Sequence, residues 1–62
     1  MITNVWTKAQ PNKKKRYPNS YPMLSWAVGS DEPAEVKIYS LETGKMEGTY
    51  RLADIARVEY RP

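Results

Sequence analysis

Apolar residues alternate with polar ones along most of this chain, and no long segment repeats them at the i, i+3, i+4, i+7 spacing of a helix. Short runs rich in Val, Ile, Thr, Tyr and Trp lie between turn clusters, the signature of short strands. "ITNVWTK" predicts a first strand over 2–8, with Ile2, Asn4 and Trp6 on one face and Thr3, Val5 and Thr7 on the other. A long loop is expected at about 9–20. "YPMLSWAVG" predicts a second strand near 21–29, with Leu24, Trp26 and Val28 on one face and Met23, Ser25 and Ala27 on the other. "SDEPAE" is a turn by its Asp, Ser and Pro content.

The next stretch is the clearest. "EVKIYSLETGKMEGTYRL" predicts a hairpin in which Val36, Ile38 and Ser40 alternate with Lys37, Tyr39 and Leu41. "ETGK" (42–45) carries a glycine where a tight turn needs positive φ. Met46, Gly48, Tyr50 and Leu52 share a face on the returning strand. Gly48 inside that strand marks a bulge or a close backbone approach. "LADI" is long enough for one 3₁₀ turn, and "ARVEYR" makes a last strand with Val58 inward.

The element order is strand, long loop, strand, short loop, hairpin, helical turn, strand. It matches a small SH3-like five-stranded all-β barrel with one 3₁₀ turn before the last strand. Closure is preferred because it hides strand edges that a short open sheet exposes. The alternative is an open three- to four-stranded antiparallel sheet. At 62 residues the chain is a single domain, and a domain this small buries only about 60% of its unfolded surface.

Composition narrows the chemistry. There is no cysteine and no histidine, so disulfides, thiolate metal sites and the commonest general base are excluded, and with them the usual catalytic triads. Asp31, Glu32 and Glu35 are close in sequence but lie in a turn that offers no burial to shift a pKa or converge on a metal. Three scattered glycines form no phosphate-binding loop. No enzymatic role, cofactor or metal is expected. No apolar run reaches the length of a membrane span. A soluble protein, cytoplasmic or nucleoid-associated, is expected, with no membrane partner.

Charge is unevenly placed. The net charge is +3, yet residues 1–26 hold five cations and no acid, while residues 27–62 hold five cations against seven acids. Four of the early cations, Lys13, Lys14, Lys15 and Arg16, are consecutive within "PNKKKRYPNSYP". No nearby acid relieves their repulsion; phosphates would, by displacing counterions. Tyr17 and Tyr21 bracket the run, and Trp6 lies on the flanking strand, so aromatics for base stacking stand beside the cations. Trp26, at the centre of an alternating strand, is expected in the core, as a small domain without Phe needs bulk there. Tyr39, Tyr50 and Tyr60 are expected to pack in the core or on a sheet face. Lys37, Arg51, Arg57 and Arg61 could extend a positive face, with Glu47 and Glu59 interrupting it.

The expected function is nucleic-acid binding, DNA favoured over RNA, with weak sequence preference. The expected contacts are Lys8, Lys13, Lys14, Lys15, Arg16 and Arg51 to phosphates and Tyr17, Tyr21 and Trp6 to bases. The alternative is a protein-interaction module or small inhibitor that docks an acidic partner protein through the same loop. In size, charge and the "ETGK" hairpin followed by a basic strand, the chain resembles the small SH3-like chromatin proteins of archaea.

Overall fold

The computed structural model describes all residues, Met1 to Pro62. It is all-β apart from one 3₁₀ turn. The strands are β1 (Ile2–Thr7), β2 (Lys14–Pro18), β3 (Ser20–Trp26), β4 (Pro33–Ser40), β5 (Met46–Arg51) and β6 (Ile55–Arg61), with the 3₁₀ turn at Leu52–Asp54. They form two three-stranded antiparallel sheets, ordered β2-β1-β6 and β3-β4-β5. No ladder joins one sheet to the other, so the strand pairing does not close into a barrel.

The sixth strand comes from the segment expected to be a loop. Lys14–Pro18 pairs along β1, from Ile2 opposite Pro18 to Trp6 opposite Lys14. Sequence pattern hides this strand because its cations mask the alternation: only Tyr17 in it is buried. Asn19 alone separates β2 from β3, at a left-handed φ of 49°, a conformation asparagine tolerates better than most residues. The chain there leaves one sheet and enters the other.

Strand prolines fall where they cost least. Pro18 and Pro22 both lie on edge strands, which lack a partner on one side. Where β3 begins, the carbonyl of Asn19 just before it accepts from the Leu41 N–H on the β4 side, whereas the Ser20 N–H donates to the Met1 carbonyl on the opposite side. Even-numbered positions therefore face away from β4, and the missing N–H of Pro22 falls on the unpaired edge.

The core is small. Val5, Tyr17, Val36 and Ile38 are buried, and Tyr50, Leu52, Ile55 and Val58 pack partly against them. Val36 and Ile38 face inward on the hairpin and Val58 on β6, as the alternation predicts. The molecule measures 31 × 28 × 16 Å, thin enough for a single side-chain layer between sheets. Trp26 is not part of that layer: it is 52% exposed. It closes β3 opposite Pro33, across a register shift after Ser25 that turns the strand end away from the core. Val28, beyond the strand, is fully exposed.

Tyr17 holds the two sheets together. Its hydroxyl is hydrogen-bonded to that of Tyr50 at 2.5 Å, and the rings meet edge to face at 6.5 Å. The phenol lies against Gly48, where a Cβ would stand 2.5 Å from the Tyr17 oxygen. Gly48 is thus the close approach its strand position suggested, and the ladder slips beside it, between Ile38 and Tyr39. Burial, then the bond to Tyr50, push the Tyr17 phenol well above the ordinary tyrosine range. In the hairpin turn, Gly44 adopts the positive φ expected, at 71°.

Two outcomes are expected in urea unfolding. Gly48→Ala should destabilise by about 1–3 kcal/mol through overpacking, and by less when combined with Tyr17→Phe, which removes the nearest atom. Because folding raises the Tyr17 pKa, its contribution is complete below the unfolded value. It is lost as pH rises above about 10, so the alkaline fall in stability should be steeper in the wild type than in Tyr17→Phe.

Candidate nucleic-acid interface

Since side chains alternate across a strand, burying Tyr17 decides where the basic run points. Tyr17 and Lys15 face the same way as Thr3 and Val5, their partners on β1; Lys14 and Arg16 face the other way, with Trp6 and Asn4. On the opposite flank of β1, Arg57 is paired with Trp6, Glu59 with Asn4 and Arg61 with Ile2. The outer face of the first sheet therefore carries Lys14, Arg16, Arg57 and Arg61 in two rows, with Trp6 between them and Glu59 as its one acid.

The face is internally bonded. The Arg57 guanidinium lies over the Trp6 ring, 4.8 Å from its centroid, a contact worth about 0.5–1 kcal/mol where exposed. Glu59 accepts from Arg57 Nη2 and from Arg61 Nε, each at 3.1 Å, and from Asn4 Nδ2 at 3.2 Å. These contacts, the Asn4 bond first and the Arg61 bond second, hold the Glu59 carboxyl below its ordinary pKa. Asn4 is buried, and its Oδ1 has no partner. Trp6 is half-buried, and all four cations are exposed.

The other sequence-predicted residues fall elsewhere. Tyr17 is 8% exposed, inside the core, and cannot stack on a base. Lys15 lies on its side of β2, with Nζ 5.9 Å from the Tyr17 ring centroid, so its stem shields that ring from water. Lys13 is exposed in the turn before β2. Tyr21 stacks on Tyr39 on the outer face of the second sheet, with centroids 5.7 Å apart. Lys8 and Arg51 line an open hollow of about 490 Å³ together with Glu35 and Asp54, where charge is balanced. The structure thus gathers Trp6, Lys14 and Arg16 and disperses the rest.

Arg57 and Arg61 share this face with Trp6, Lys14 and Arg16, whereas the sequence alone presents them only as an interrupted extension of a positive face. Their spacing on a short strand was the available signal. Which strand that strand would join was not visible. No helix of the chain is long and apolar enough to cross a membrane. Comparison with known protein families, with curated proteins and with solved structures returns no match for this chain.

Carbon-detected NMR titration of Glu59 should show it ionising below the usual glutamate range. Asn4→Ala should move its midpoint upward more than Arg57→Gln does, because the asparagine bond is the leading cause of the shift. Equal effects of the two variants would contradict this ordering.

Proposed function

We propose that this protein binds nucleic acid, DNA in preference to RNA and with weak sequence preference, through the outer face of the β2-β1-β6 sheet. The observation that carries the reading is the placement of Lys14 and Arg16 on one side of Trp6 and Arg57 and Arg61 on the other. Strands lie about 4.8 Å apart, so the two basic rows are separated by about 10 Å at the backbone, and their long side chains can splay further. A duplex groove is bordered by two phosphate rows at such separations; a single strand offers one. Phosphate contacts position a protein without reading sequence, which accounts for the weak preference. Trp6 supplies the aromatic that meets a base edge or wedges at a step. Glu59 holds Arg57 and Arg61 extended across the face before binding, which lowers the ordering cost.

Under this reading the fold is an SH3-like barrel left open along one seam. Supporting it are the passage of β2 into β3 through a single residue and the 3₁₀ turn before the last strand. The protein acts by binding rather than by catalysis, in the cytoplasm or on nucleoid DNA. An acidic protein surface is the second occupant of the same face, since paired Trp and Arg are also the composition of protein-interface hot spots.

Fluorescence anisotropy with a short labelled duplex separates these readings. Four phosphate contacts predict a salt slope of about −3.6 in log K against log salt. Lys14→Gln with Arg16→Gln should lower that slope by about half and weaken low-salt binding by more than about tenfold. Lys8→Gln with Arg51→Gln should change it little, although it removes the same charge. Trp6 fluorescence should be quenched by DNA, and the quench should persist in Trp26→Phe. Absence of duplex binding at low salt sinks the nucleic-acid reading and leaves the acidic-protein one.

A further inference from the structure

The molecule has four sheet edges, and one of them is guarded by no charged side chain, only by the missing N–H of Pro22. β2 carries Lys14, Lys15 and Arg16; β5 carries Glu47 and Arg51; β6 carries Arg57, Glu59 and Arg61. Charges on edge strands guard against edge-to-edge pairing. β3, with sequence "SYPMLSW", has none. It lies in the longest uncharged run of the chain, Tyr17 to Ser30. The N–H and C=O of Leu24, an even-numbered position, point away from β4, where no strand is paired.

Exposed apolar surface collects at the same place. Met23 is 52% exposed, Leu24 50% and Trp26 52%, and Val28 is fully exposed. Beside them Pro22, Met23, Leu24, Val36, Leu52 and Val58 line an open groove of about 250 Å³. That groove is the seam where the edge of the second sheet fails to meet β6.

We infer that β3 is the dimer interface of this protein, pairing antiparallel with β3 of a second copy about a two-fold axis near Leu24. An isologous contact needs a surface complementary to itself, and a neutral apolar edge is that in a molecule whose net charge is +3. The basic face of one copy would repel that of another; the β3 edge meets no such penalty. Pairing satisfies the free backbone groups of Leu24, and covers Met23, Leu24 and Trp26 of both copies. A standard interface takes about 800 Å² per partner, roughly a sixth of the 4563 Å² this chain exposes. The exposed Met23, Leu24, Trp26 and Val28 and the groove beside them are the surface a second copy would cover. Dimerisation leaves the outer face of β2-β1-β6 free in both copies, so the two faces would act as one bivalent unit.

Sedimentation velocity across a concentration series tests this, with hydrogen exchange at the Leu24 amide as the local readout. The expected result is a monomer–dimer equilibrium with a dissociation constant on the order of micromolar. Leu24 exchange should slow as the dimer fills. Trp26→Lys, at an exposed position, should keep the circular dichroism of the wild type and weaken the dimer about tenfold or more. Met46→Lys, equally exposed on β5, should leave it intact. A chain that stays monomeric at about 100 μM overturns the inference and leaves the edge to a strand of another protein. So does a dimer whose Leu24 amide exchanges freely, or one that Trp26→Lys leaves unchanged.

Discussion

The seating of Tyr17 against Gly48, with its hydroxyl bonded to Tyr50, is the contact on which the rest of this structure depends. Only four residues of the core are buried, and this one side chain reaches from the first sheet to the second. It also sets the orientation of β2. With Tyr17 inward, strand geometry sends Arg16 and Lys14 outward and puts Lys15 over the Tyr17 ring. A slip of one residue would place Arg16 in the core and Tyr17 in solvent. The packing requirement and the direction of the basic residues are therefore one constraint.

That constraint changes what the basic run is. As a flexible loop, four adjacent cations would be equivalent. As an edge strand they divide: two join Trp6 on an ordered face, one caps the core, and one remains in the turn. The face is completed from the other end of the chain, by Arg57 and Arg61, which reach it because β6 pairs with β1. Glu59 does not neutralise the face so much as organise it. It bonds both arginines and Asn4 at once, and Arg57 remains over the Trp6 ring.

The cost of so small a core is visible on the opposite side. Sheets of three strands cannot cover all their apolar positions. Four of the eight large exposed apolar residues lie on β3 or just beyond it, and the edge of β3 also lacks the charges that guard β2, β5 and β6. The molecule thus has a basic face and a neutral apolar edge on different sheets.

Much of the fold was legible in the sequence where periodicity was undisturbed. The alternation of Val36 and Ile38, the positive φ of Gly44, the close approach at Gly48, the 3₁₀ turn at Leu52–Asp54 and the inward Val58 all follow from local pattern and turn chemistry. The pattern misled where polar and apolar roles depend on a partner. β2 was hidden because two of its outward residues, Lys14 and Arg16, and its rim lysine, Lys15, are cations, and its last residue is a proline. Trp26 read as core because alternation does not show that a strand ends there, past a register shift that only the pairing with β4 creates. At the site, sequence alone determined the residue types: a concentration of cations early in the chain, and aromatics near them. Which of those cations stand together, that Tyr17 is withdrawn from them, and that Arg57 and Arg61 join them across more than forty residues of chain were decided by strand pairing. Pairing is a long-range choice, and no local window of sequence contains it.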